Sequence, residues 1–149
     1  MSETTAHQQP ITLRRLKTRD PWPDWIEANF ADWRRRWPAV FTKPVPLAVG
    51  ITAQIKAVLI AEGKLVEAKH RRGIGVSLHR WTTQSAYLRA IARGDVRRNL
   101  DGSEAGFPAE DARNHAQKLV DERAVRQAER ERLRRERLAF GDQENQKEP

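Results

Sequence analysis

The stretch ARGDVRRNLDGSEAGFPAE, residues 92–110, decides how the rest of the chain is read. It lies between two segments of helical periodicity. Inside it, Asp101-Gly102 predicts a two-residue hairpin turn of type I′, which requires positive φ at both central positions. The flanking segments VRRNL and SEAGF are too short to stand as an isolated hairpin, so they must lean on helices. Alternation along a strand puts the adjacent arginines Arg97 and Arg98 on opposite sides, Arg98 beside Leu100. The fold class expected is α+β, a mainly helical single domain with a small β-hairpin or sheet.

Upstream, PDWIEANFADWRRRW (23–37) predicts a helix, with Pro23 and Asp24 suited to its first turn. Trp22, Ile26, Phe30, Trp33 and Trp37 recur at three- and four-residue steps, a spacing that reads as core. Pro38 stops that helix. PVPLAVGI (44–51) is extended, and a second helix runs from Thr52 to Glu62, burying Ile51, Ile55, Val58 and Leu59 before Gly63 at C′. In KLVEAKHRRGIGV (64–76), Lys64–His70 can extend a helix, but Gly73 and Gly75 predict a break or loose turn. Residues 77–93 are helical again, anchored by Leu78, Trp81, Leu88 and Ile91, with Thr82 or Thr83 as an internal N-cap.

After the ribbon a last helix is expected from near Pro108, with Glu110 and Asp111 in its first turn. Ala112, Ala116, Leu119 and Val120 form its docking stripe. Beyond Val125 the run RQAERERLRRERLAF reads as a long charged C-terminal helix projecting into solvent, with Glu122–Arg126 and Glu131–Arg135 as i,i+4 pairs. The organisation expected is a flexible basic arm at 1–20, a domain at 21–122 including the Trp-rich helix, and a charged helical extension with a disordered tail at 123–149.

Composition narrows the function. The chain of 149 residues has no cysteine, which excludes disulfides and thiolate metal sites and fits a reducing compartment. No apolar run approaches the roughly 18–20 residues of a membrane span, and the N-terminus lacks the apolar core of a signal peptide. A soluble, cytoplasmic monomer is expected. The net charge is +8, but residues 69–98 alone carry eight Lys/Arg against Asp95, a net +7, whereas residues 109–149 hold ten of each sign. A polyanionic partner is implied for the middle of the domain. There is no Walker A loop, HExxH or G-x-S-x-G, and His7, His70, His79 and His115 are scattered without metal-ligand spacing. No enzyme activity and no cofactor are expected.

Taken in order, RWPAVF (36–41), PLAVGI (46–51), LHRWTTQSAYL (78–88), RRNLDG (97–102) and the Pro-Ala-Glu helix opening at 108–110 resemble the ProQ/FinO family of bacterial RNA chaperones over about residues 28–120. The resemblance implies a compact, mainly helical domain whose basic face binds stem-loop RNA with a single-stranded 3′ tail, such as terminators, small regulatory RNAs and their mRNA targets. It implies a role in RNA pairing and post-transcriptional regulation.

By the same resemblance, Tyr87 matches a pocket tyrosine and Arg97 a pocket arginine. Thr82, Thr83 and Gln84 match a helix start that can hold terminal phosphates, and Arg80 with Trp81 matches the arginine–aromatic pair before it. Ala48 and Gln54 stand where the family often has lysine and an acidic residue, and His79 where it usually has arginine. Lys69, Arg71, Arg72, Arg93 and His79 complete the expected RNA contacts. The bland reading of Tyr87 is a half-buried tyrosine with a satisfied hydroxyl; that of Arg98 is a surface arginine or one paired with the last helix. The expectation for Tyr87→Ala or Arg97→Ala is weaker binding with the fold intact. Two other functions fit the residues: a nonspecific nucleic-acid or DNA-architectural protein, and a protein-interaction adaptor using the Trp-rich or charged helix.

Overall fold

The computed structural model describes residues 23–145 apart from Val66; the arm expected at 1–20, Trp22 and the last residues of the tail lie outside them. The described residues form α1 (Asp24–Arg36), α2 (Pro38–Phe41), α3 (Ile51–Ala61), α4 (Ala68–Thr82), α5 (Ser85–Arg93) and α6 (Glu110–Asn145). None of these helices is long and apolar enough to cross a membrane.

α1 carries Asp24 and Glu27 in its first turn and Arg34, Arg35 and Arg36 in its last, each sign at the favourable end of the helix dipole. Ile26, Phe30 and Trp33 are buried along one face. Pro38 ends α1 as expected, with Trp37 outside the helical region at φ −131° and ψ 65°. The same proline then starts α2 at its first turn, and this single turn buries Val40 and Phe41. The core gathers around aromatic rings from three helices. Trp81 of α4 lies 5.1 Å from Phe30 and 5.4 Å from Phe41, and Phe41 lies 5.1 Å from Trp33. Tilted and edge-on ring pairs of this kind add about 0.5–1.5 kcal/mol each beyond the area they bury.

α3 buries Ile51, Ile55 and Leu59 and ends as its glycine predicts. Gly63 takes φ +70° and its N–H bonds Ile60 O at 2.9 Å, while Lys64 N–H bonds Leu59 O at 2.9 Å, closing a Schellman motif.

Two expectations for 64–93 are corrected. α4 runs unbroken through Gly73 and Gly75. Each helical glycine costs about 1 kcal/mol. Ile74, Leu78 and Trp81, buried on one face of α4, each return roughly 1.5–3 kcal/mol, so packing overrides propensity. Lys69, Arg71 and Arg72 are therefore helical. Thr82 and Thr83 are not an N-cap. They close α4, their hydroxyls donating back to Leu78 O at 2.9 Å and His79 O at 2.8 Å, and Gln84 is the N-cap residue of α5.

The ribbon holds no regular strand among the described residues; its pairing is two isolated bridges, Leu47 with Arg98 in parallel and Arg98 with Glu104 antiparallel. The turn is not type I′, because among the described residues only glycines, and so not Asp101, have positive φ. Asn99 O accepts from Gly102 N–H and Asn99 N–H donates to Ser103 O, both at 2.9 Å, with Gly102 at φ +87°. This is a three-residue loop ending in a glycine bulge, the alternative open to an Asp-Gly pair.

α6 begins at Glu110, with Pro108 buried just before it. Its first half lies antiparallel to α5: Arg113 sits against Gly94 at the end of α5, and Arg123 reaches Ser85 at its start. Beyond Arg123 the helix leaves the domain and its side chains are exposed through Gly141. Among the described residues neither Glu122–Arg126 nor Glu131–Arg135 forms an ion pair; Arg132 pairs with Glu129 at 3.7 Å instead.

Candidate functional site

Two side-chain bonds converge on the backbone of one residue, Leu47. Leu47, 2% exposed, donates its N–H to Tyr87 Oη at 3.2 Å, and its carbonyl accepts from Arg97 Nη1 at 2.9 Å. Tyr87 from α5 and Arg97 from the ribbon thus flank the same backbone unit. The Tyr87 hydroxyl acts as an acceptor here, so its own proton remains available for another partner. Arg97 spends one of five guanidinium donors, leaving the rest of the fork for a ligand.

Neighbouring contacts fix this arrangement. Ala48 N–H donates to Arg98 O and Arg98 N–H to Pro46 O, both at 2.9 Å. Gln54 of α3 donates to Asn99 Oδ1 at 2.9 Å and accepts from Leu100 N–H at 3.3 Å. An amide can serve both directions where a carboxylate only accepts, which gives the glutamine at this position a structural reason. Arg98 turns away from Leu47 and donates to Gly102 O at 2.9 Å, bracing its own loop; its pairing with the last helix is corrected.

The other expected contact residues divide into groups. Arg71, Arg72 and His79 are exposed on α4. Arg72 and His79 stand two turns apart on one side of the helix, so they share a face. Lys69 is paired to Glu67 at 3.3 Å at the start of α4. Arg93 is exposed on α5 and paired to Asp95 at 2.9 Å. Arg80 is 4% exposed and stands next to Trp81 on the buried part of α4. Thr82 and Thr83 have their hydroxyl protons committed to α4 carbonyls. Gln84 makes no side-chain cap bond and instead donates to Trp81 O at 3.0 Å. The first-turn N–H groups of α5 are thereby left uncapped by a side chain, directed at the α4–α5 junction. Tyr87 is 6% exposed, so replacing it with alanine opens the core, and the expectation of an intact fold in that variant is corrected.

One residue was not anticipated. Arg123 of α6 donates from Nη1 to Thr83 O at 2.6 Å and to Ser85 Oγ at 3.1 Å, tying the last helix to the α4–α5 junction. Burial, and then the nearby Arg126, press its basicity below the usual arginine value. The signal for it in the sequence was its place on the Ala112–Ala116–Leu119 stripe, one turn past the last apolar residue. A shallow groove along α6, lined by Asn114, Lys118 and Val125 among others, does not include Tyr87 or Arg97.

The model of the ProQ/FINO family matches residues 27–133. Among solved structures, a FinO-like RNA chaperone from Neisseria meningitidis MC58 superposes with a TM-score of 0.53 at 24% identity, over 63% of this chain and 92% of that one. No curated protein matches the chain.

Proposed function

Since the chain belongs to the ProQ/FinO family, we propose that it is an RNA-binding chaperone that holds structured RNA by its single-stranded 3′ end. The observation that carries this reading is the convergence of Tyr87 and Arg97 on the backbone of Leu47. A spare phenol proton and a spare guanidinium edge are donors suited to the hydroxyl and phosphate oxygens at an RNA terminus. The uncapped first turn of α5 adds backbone N–H groups and the positive end of a helix dipole. Arg71 and Arg72 on α4 and Arg89 on α5 supply exposed charge for backbone contact, and His79 on α4 an exposed hydrogen-bonding ring. An A-form stem hides its major-groove edges, so recognition by shape, backbone and unpaired end suits such a surface. Terminators, small regulatory RNAs and their mRNA partners have these ends, and post-transcriptional control of pairing and decay is the expected outcome.

The test is competition binding. A hairpin with a 3′ single-stranded tail should bind tighter than the same hairpin with a blunt end or with its tail moved to the 5′ side, and Arg97→Ala should erase that preference. Equal affinity for all three RNAs and for duplex DNA of the same length would overturn it in favour of a nonspecific nucleic-acid binder.

A further inference from the structure

The stripe by which α6 docks on the domain does not end where the domain ends. Ala112, Ala116, Leu119 and Arg123 follow one another at three- and four-residue steps, and the same steps continue through Arg126, Arg130, Arg134 and Arg137. At about 100° per residue these side chains share a sector of roughly 80°. The stripe is apolar while it lies against α5 and becomes all arginine once the helix is in solvent. Glu122, Glu129, Glu131 and Glu136 fall outside this sector. Consistent with that, the exposed ion pair of this helix joins Glu129 to Arg132, which also lies off the stripe, and no ion pair is formed by Arg126, Arg130, Arg134 or Arg137 among the described residues. Between Arg123 and Arg137, acidic residues are thus absent from the sector that carries Arg126, Arg130, Arg134 and Arg137, while Arg132 and Arg135 lie outside it among the acids.

The position of the stripe is as telling as its charge. Arg123 is bonded at the α4–α5 junction, so the arginines start at the uncapped end of α5 and run outward from it. From Arg123 to Arg137 the helix rises about 21 Å, in steps of about 4.5–6 Å. We propose that Arg126, Arg130, Arg134 and Arg137 form a rail for the sugar-phosphate backbone of the RNA beyond its held 3′ end. A row of unpaired guanidinium groups on a rigid helix fits a regularly charged polyanion, because each fork can take phosphate oxygens and release counterions. This inference rests on the reading of the α5–ribbon site as the holder of the RNA end.

The test uses the full chain with Arg126, Arg130, Arg134 and Arg137 all changed to glutamine, which keeps helix propensity nearly unchanged. The control changes Arg132 and Arg135, off the stripe, to glutamine. Circular dichroism confirms equal helicity. Affinities are measured against salt for a 3′-tailed hairpin with a long stem and for a short 3′-tailed oligonucleotide confined to the end site. The rail variant should lose at least tenfold in affinity for the long hairpin, and its log-affinity against log-salt slope should flatten by about 3. The control should change both by less than half as much, and the short oligonucleotide should bind wild type and rail variant alike. An unchanged slope in the rail variant, or equal losses in rail and control variants, would overturn the rail. If the short oligonucleotide still depends on Arg97 in that case, the end site stands and only the rail fails.

Discussion

Tyr87 and Arg97 bond the two backbone groups of one residue: the Leu47 N–H donates to Tyr87 Oη at 3.2 Å and the Leu47 carbonyl accepts from Arg97 Nη1 at 2.9 Å. Tyr87→Phe keeps the ring in the core but leaves the buried Leu47 N–H without its acceptor. A loss of about 1–3 kcal/mol in urea unfolding is expected. Tyr87→Ala should cost about 3–5 kcal/mol through the cavity it opens. Affinity for a 3′-tailed hairpin should fall in Tyr87→Phe at temperatures where the protein is still fully folded.

Arg97→Lys separates charge from shape. A lysine keeps the positive charge but offers a point ammonium in place of a fork. The salt slope of RNA binding should stay at the wild-type value while the preference for the 3′-tailed hairpin over the blunt one shrinks. If the preference survives intact in Arg97→Lys, the fork is not what reads the end.

Gly102 and Gly106 both sit at φ +87°, but they differ in surroundings: a Cβ on Gly102 would lie 2.9 Å from Ala39 Cβ, and one on Gly106 would meet nothing within 4 Å. Gly106→Ala should lose about 1 kcal/mol from backbone strain alone. Gly102→Ala should lose more, because α2 must also give way, and thermal melts of the two variants read the difference.

The acid limb of stability should carry the mark of Glu62. Its hydrogen bond from Arg36, at 2.7 Å, holds its carboxyl down from 4.5 to about 2. A carboxylate held low in the folded state contributes stability that is full above about pH 4.5 and is lost as the pH falls toward 2. The melting temperature of wild type should therefore exceed that of Glu62→Gln at neutral pH, with the gap closing across that window. High salt should narrow the gap throughout, since the pair is exposed.

Arg123→Ala should loosen the junction without unfolding the domain. Amide hydrogen exchange at Thr83–Tyr87 should speed up, while amides of α1 and α3, which Arg123 does not touch, keep their protection.

Periodicity made α1 and α3 legible, because Ile26, Phe30 and Trp33, or Ile51, Ile55 and Leu59, repeat at helical steps with clear stops in Pro38 and Gly63. It failed at Gly73 and Gly75, where local propensity speaks against a helix that only tertiary burial of Ile74, Leu78 and Trp81 sustains. The ribbon was legible as a turn but not as a turn type, since Asp-Gly serves two loop lengths and the choice is made by contacts between Asn99 and Gln54 from another helix. Arg80 could not be told from a surface arginine, because a cation's burial depends on neighbours far along the chain. The arginine face of α6 was hidden for a simpler reason: a charge count over a segment averages all sides of a helix.

The two bonds on Leu47 span 40 and 50 residues of chain. Contacts so distant in sequence pay a large closure entropy and form only when the surrounding elements have docked. The arginines on α4, α5 and α6, by contrast, carry their charge whether or not the chain is folded. On the proposed function, discrimination and attraction therefore have different folding requirements. A chain still folding, or one damaged by a destabilising substitution, would keep its attraction for RNA while losing its choice among RNAs, so that partial unfolding would produce promiscuity before loss of binding.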